Sequence, residues 1–158
     1  MTTLSVKDIM TCNVLTARAD WSLDQLAEFL VENYISGAPV ISEDEELSGV
    51  VSLTDIVRHD SLHVSDSETD SPHEYYVQEL TGQYAREEIK SLRIRVASPV
   101  TVRDIMTPII FDVNEDVTLQ QVADTMIRGR IHRVFVTRNK QLIGVVTALD
   151  MLKVIRDL

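Results

Sequence analysis

Two short strings place a hydroxyl three residues before a carboxylate, at the point where a β-rich run gives way to a helical one. They are Ser52-x-x-Asp55 in "GVVSLTD" and Thr147-x-x-Asp150 in "GVVTALD". A carboxylate at a strand-to-helix junction stands beside outward-pointing helix amides and can accept two hydrogen bonds from a ribose diol, which suits a phosphorylated nucleoside. The same spacing is close to an ordinary capping box, in which hydroxyl and acid satisfy the first helix amides. The duplication does not choose between them, because a cap would be duplicated too.

A second feature is positive charge in an acidic chain. The string "RGRIHRVFVT", residues 128–137, leads three arginines and a histidine into an apolar run, although the formal net charge is -10. Strand side chains alternate faces, so His132 and Arg133 cannot both be buried on one face without polar partners. At least one of them meets solvent or an anion. Two readings stand: a charged strand edge that resists aggregation, or the cationic end of an anion site. Arg128 and Arg130, at the preceding helix end, are expected to complement the helix dipole.

Catalytic readings find no support. The chain has five glycines and no G-x-x-x-x-G-K-[ST] loop, G-x-S-x-G elbow or G-x-G-x-x-G turn. His59 and His63, beside Asp60 and Asp66, have the i, i+4 spacing that would put two imidazoles on one helical face for a metal. Residues 43–46 form an acidic run that would attract magnesium. Both read better as solvated polar residues, so no metal site and no cofactor are expected. Twenty-five acidic residues against fifteen basic ones argue against nucleic-acid binding. The lone Cys12 excludes an intrachain disulfide and multi-cysteine zinc patterns. No apolar run reaches the roughly twenty residues of a membrane span, and "MTTLSVKDIM" does not read as a secretory signal. A reducing, cytoplasmic setting without membrane or nucleic-acid partners is expected.

The elements that would hold these residues come in pairs. "VKDIMT" at residues 6–11 returns as "VRDIMT" at 102–107. The same offset links Leu23 with Leu119, Gln25 with Gln121, Ala27 with Ala123, Ile35 with Ile131 and Val40 with Val136. After one extra loop residue in the first copy, "LSGVVSLTD" matches "LIGVVTALD". The chain therefore reads as two copies of one supersecondary unit, residues 1–60 and 100–158, joined by an acidic connector, 61–99. Ser22 with Gln25 and Thr118 with Gln121 predict capping boxes. Each opens a helix whose inward face is Leu23, Leu26, Ala27 and Leu30, or Leu119, Val122, Ala123 and Met126. Two β-rich runs follow in each copy, "APVI" and "GVVS", then "VFVT" and "IGVVT". A second helix comes next, "LTDIVRH" or "ALDMLKVIRD". With a first strand around Val14–Leu15 or Ile110–Phe111, each copy is an α/β unit of order β-α-β-β-α. The connector begins with "DSLHVSDSETDSPHE", which has almost nothing to bury and is expected to be mobile. Its second part predicts a helix around Tyr75–Lys90 and a strand through Leu92, Ile94 and Val96.

Taken together, "VRDIMTP", "IHRVFVT" and "GVVTALDML", with "VKDIMT", "YISGAPVIS" and "GVVSLTDIV", resemble the cystathionine β-synthase (CBS) domain, found as tandem pairs called Bateman modules. The resemblance covers about residues 5–60 and 100–158. It implies two β-α-β-β-α repeats packed sheet to sheet with pseudo-twofold symmetry and no catalysis. The implied function is a regulatory sensor of AMP, ADP, ATP or S-adenosylmethionine, held between the repeats and acting on itself or on a regulated partner protein. Residue by residue, it implies a ribose role for Asp55 and Asp150, with Ser52, Thr54 and Thr147 nearby. It implies an adenine role for Thr11, Asn13, Ile35, Ser36, Gly37 and Ile131, and a phosphate role for His132 and Arg133. Ser36-Gly37 stands where the second copy has His132-Arg133, and Cys12 where it has Pro108, so the sister site around Asp55 departs from the pattern. The amphipathic helices ending in Arg58 and Lys153 suggest a homodimer, a state common in the family. The alternatives are a dimerisation scaffold with degenerate sites and a divalent-cation sensor.

Overall fold

Residues 3–60, 73–77 and 99–158 are described by the computed structural model, a mixed α/β structure with two three-stranded sheets and helices. The expected helix beyond Val77 and the strand at Leu92–Val96 lie outside the described residues, as do His63 and Asp66. The chain divides into two units, Leu15–Ile109 and Met1–Val14 with Ile110–Leu158.

In the Leu15–Ile109 unit, β1 (Ala17–Arg18) pairs parallel with β2 (Gly37–Ile41), which pairs antiparallel with β3 (Leu47–Ser52). The first strand starts beyond the expected Val14–Leu15. Leu15 is 45% exposed, whereas the small Ala17 and Ala19 are buried in the core cluster. Ser22 accepts the Gln25 amide at 3.1 Å and Gln25 Oε1 accepts the Ser22 amide at 2.9 Å, so a reciprocal cap opens α1 (Leu23–Glu32). Its buried face is Leu23, Leu26, Ala27 and Leu30, the stripe that the spacing predicts. Leu26 and Leu30 are wholly buried, each worth about 1.5–3 kcal/mol of transfer from water. The helices α2 (Leu53–Asp60), α3 (Glu74–Val77) and α4 (Val102–Ile105) complete the unit.

The other unit begins with a 3-10 turn, Val6–Asp8, and continues with β4 (Asp112–Asn114), α5 (Leu119–Gly129), β5 (Arg133–Arg138), β6 (Gln141–Thr147) and α6 (Ala148–Arg156). Its sheet repeats the first, β4 parallel and β6 antiparallel to β5. Ile110–Phe111 precede β4 and do not form it. The Phe111 carbonyl receives the Phe135 amide at 2.9 Å, and the strand ladder runs from Asp112. Thr118 and Gln121 cap α5, which buries Leu119, Val122 and Met126; Ala123 lines an open apolar pocket instead.

Arg128 stands in the last turn of α5, where its charge complements the helix dipole as expected, and Arg130 is the C-cap. Arg128 bonds Asp124 one turn back at 3.0 Å. Arg130 ends the helix with its backbone, in the left-handed region at φ 53. Tyr34 holds the matching place after α1 at φ 55. A residue with a Cβ costs roughly 1–2 kcal/mol in that conformation, so packing of the strand that follows must hold both turns.

The two "DIMT" strips trade places. Thr107 belongs to the Leu15–Ile109 unit, and Thr11 to the unit that contains the second sheet. Thr11 exchanges two backbone hydrogen bonds with Val145, at 2.9 and 3.0 Å. Val6 and Val102, one from each strip, are wholly buried. A spatial unit therefore contains residues from both sequence copies.

Candidate ligand site

Both acids sit in the first turn of the helix that follows their sheet. Asp150 Oδ2 accepts the Thr147 amide at 2.9 Å and the Thr147 hydroxyl at 3.0 Å, and that hydroxyl accepts the Asp150 amide at 3.3 Å. The capping reading is therefore true in geometry, and it does not displace the ligand reading. The box engages one carboxylate oxygen and fixes the rotamer, leaving Oδ1 to meet the exposed Lys153 ammonium at 3.2 Å.

The β5–β6 register sets the His132-Arg133 backbone opposite the start of the helix that carries this acid. Arg133 pairs with Thr147 across the ladder, and the His132 carbonyl receives the Ala148 amide, the first of α6, at 2.8 Å. His132 is exposed and Arg133 half-buried at the strand opening, so the alternation places the pair as the sequence requires. Thr11 lies beside β6 through its two bonds to Val145, with Asn13 exposed two residues on. Ile131 is 2% exposed, and its side chain packs over Gly129. Thr11, Asn13, Ile131, His132, Arg133, Thr147 and Asp150 thus share one unit. The strip exchange is what brings the first two there.

Ile35, Ser36, Gly37, Ser52, Thr54 and Asp55 share the other. There the Ser36 carbonyl receives the Leu53 amide at 2.8 Å, the counterpart of the His132 bond. Asp55 Oδ2 accepts the Ser52 amide at 2.8 Å. The neighbour of this acid is one that sequence reasoning missed: His73 Nε2 lies 3.1 Å from Oδ2 and 3.3 Å from Oδ1. Tyr75, 3% exposed, lies on Gly37, where an added Cβ would stand 2.9 Å from the ring and 2.9 Å from the Val51 carbonyl. Tyr76 is wholly buried and donates its hydroxyl to the Ile109 carbonyl at 2.8 Å. The available signal was "HEYY", two adjacent tyrosines in a segment with little else to bury.

The acidic run shows no metal-like convergence. Glu45 meets Arg18 at 3.2 Å and Glu43 meets Arg103 at 3.9 Å, all on exposed side chains. His59 is exposed. Among the described residues no group of three or more His, Cys, Asp or Glu side chains is placed to hold a metal ion, and no helix is long and apolar enough to cross a membrane.

Comparison with known proteins agrees with this architecture. The family model of the CBS domain matches residues 6–61 and again 102–157, so the chain belongs to the CBS-domain family and carries two copies. An uncharacterised protein of Methanocaldococcus jannaschii is 30% identical over 94% of this chain and 89% of its own length. The crystal structure of the CBS-pair protein CBSX2 from Arabidopsis thaliana has a TM-score of 0.69 at 24% identity, covering 99% of this chain and 96% of that one. CBSX2 has also been solved in complex with AMP, with a TM-score of 0.64 at 24% identity and coverage of 97% and 96%. The CBS domain pair of protein MJ0100, solved with 5'-methylthioadenosine and S-adenosyl-L-methionine, has a TM-score of 0.60 at 20% identity, with coverage of 99% and 98%. At these identities the solved structures show a common fold.

Proposed function

We propose that this chain is a regulatory, non-catalytic module that binds an adenine nucleotide, AMP or ATP foremost, and transmits occupancy through a change of conformation in itself or in a partner protein. Its repeats are residues 1–60 and 100–158, with 61–99 as connector. Asp150 takes the ribose diol with Thr147 beside it, His132 and Arg133 take the phosphate, and Thr11, Asn13 and Ile131 border the base. Around Asp55, the residues Ser52, Thr54, Ile35, Ser36 and Gly37 hold the corresponding places without a cation.

The observation that carries this reading is the pairing of Arg133 with Thr147 across the β5–β6 ladder, which puts an arginine opposite the residue whose hydroxyl caps Asp150. Guanidinium–phosphate bonds are short, charge-assisted and often bidentate, so one such group can hold a nucleotide against an acidic chain. The ligands on CBSX2 and MJ0100 share an adenosine moiety, which supports the base and ribose assignment and makes S-adenosylmethionine the second ligand to test. A cytoplasmic homodimer is part of the same proposal, and the dimer has an apolar face available on α6, where Leu149, Leu152 and Ile155 are 58%, 56% and 63% exposed.

Thermal melting with AMP, ADP, ATP, S-adenosylmethionine and magnesium tests the proposal. A ligand at a hundred times its dissociation constant adds about 2.7 kcal/mol, a plainly visible shift. Indifference to every adenosine compound would return the chain to a dimerisation scaffold, and a response to magnesium alone would make it a cation sensor.

A further inference from the structure

The carboxylate of Asp55 is already engaged. Its side chain and that of His73 are 5% and 7% exposed. The Tyr75 amide donates to His73 Nδ1 at 3.1 Å, so that nitrogen carries no proton. The ring proton therefore sits on Nε2, which donates into the carboxylate. With the Ser52 amide on Oδ2, protein groups supply the donors that a ribose diol would bring. The Tyr75 ring meanwhile covers Gly37, the opening of β2. Tyr76 tethers the turn through Ile109. A donor on the acid and a flat ring against the strand opening are the two elements by which a nucleoside would be held. They lie in the unit whose strand opening carries Ser36-Gly37 where the other carries His132-Arg133.

We propose that His73–Tyr76 is an internal occupant of the Asp55 site, a piece of the chain standing in for a nucleoside. A chain then takes up one adenine nucleotide at Asp150, and a second at Asp55 only when this segment is displaced. The inference rests on the adenosine reading of the two acids. The asymmetry supports it, because Asp150 meets Lys153, whose side chain is 64% exposed, where Asp55 meets a buried imidazole.

Calorimetric titration of AMP into the full chain and into His73→Ser/Tyr75→Ser tests it, since the double variant keeps the Tyr76 tether. One AMP per wild-type chain and two per variant is the expected result. In an Asp150→Ala background, AMP binds the otherwise native chain roughly 10- to 150-fold more weakly, and one tight equivalent per chain returns in the double variant. His73→Gln, which keeps an N–H donor for Asp55, stays near one. No uptake by the wild type with one AMP per variant chain would still support the occupant, while removing Asp150 as a site. Two AMP per wild-type chain, or the same stoichiometry in wild type and variant, overturns the occupant and leaves the adenosine reading standing. No uptake by either overturns both. If the double variant fails to fold by circular dichroism, His73→Ala alone is titrated against the same outcomes.

Discussion

Val50 and Thr107 exchange two backbone hydrogen bonds, Val50 N–H to the Thr107 carbonyl at 2.9 Å and Thr107 N–H to the Val50 carbonyl at 2.8 Å. Strip and strand approach so closely because the residue before Val50 is a glycine, and a Cβ on Gly49 would stand 2.5 Å from the Thr107 carbonyl oxygen. Gly144 faces Met10 in the other unit, with its would-be Cβ 2.5 Å from the sulfur and, less closely than at Gly49, 3.1 Å from the bridged Thr11 carbonyl oxygen. A backbone oxygen held in a two-bond bridge cannot yield, whereas the far end of a methionine can turn aside. Gly49→Ala is thus expected near the top of the roughly 1–3 kcal/mol range for overpacking, and Gly144→Ala lower within it. Urea unfolding of the two variants checks the order; equal losses would mean that the strips are not held as described.

Asp150 and Arg133 should separate the two halves of a nucleotide. Asp150→Ala removes the ribose acceptor and weakens adenosine and AMP alike, by about 1.5–3 kcal/mol for hydrogen bonds to a charged group. Arg133→Ala leaves adenosine nearly untouched and weakens AMP, with a deficit that shrinks as salt rises. If calorimetry finds AMP bound as tightly by Arg133→Ala as by the wild type, "IHR" is a charged strand edge and nothing more.

The two strips carry an acid-sensitive cap. Asp8 accepts the Ser5 amide at 2.8 Å and the Ser5 hydroxyl at 2.9 Å, and Asp104 accepts the Thr101 amide at 2.9 Å and the Thr101 hydroxyl at 3.1 Å. The amide first, then the hydroxyl, holds each carboxyl below its ordinary range. A carboxyl depressed on folding adds stability that is fully present above its unfolded pKa, about 3.9, and that is lost as pH falls through the lower folded value. Asp8→Asn and Asp104→Asn should therefore melt below the wild type at pH 7, with the gap narrowing once the pH drops under about 4. A gap that stays constant into acid would show that charge has no part in the cap.

The outer face of α6 bears on assembly. Beside the exposed Leu149 and Leu152, α6 presents Ile155, which also borders an open apolar pocket of about 590 Å³ together with Leu4, Leu119, Ala123, Met151, Val154 and Leu158. Covering such a face removes apolar area from water at about 25 cal/mol per Å². Leu152→Lys with Ile155→Lys is expected to give a monomer in light scattering while leaving the fold, read by circular dichroism, in place. A wild type that already scatters as a monomer would refute the homodimer.

Local information reached far in this chain. Capping pairs such as Ser22 with Gln25, the buried stripe of α1, the strand pairs of "APVI" with "GVVS" and "VFVT" with "IGVVT", and the duplication itself could all be read from residue spacing. Periods of 3.6 and 2 and a hydroxyl–acid spacing are properties of neighbouring residues. The same holds for Asp55 and Asp150, whose place at a strand-to-helix junction is a local fact. Contacts between distant residues were decided only by the tertiary structure. Nothing in "VKDIMT" says that Thr11 bonds Val145 and not its own copy's strand, because that depends on the room left by a glycine in another strand. Nothing around Asp55 announces His73, because a hydrogen bond across an acidic connector follows from where two buried tyrosines anchor the turn. Likewise the left-handed turns at Arg130 and Tyr34 could not be read from either residue type, because the strand after each helix must leave in that direction whatever residue stands there.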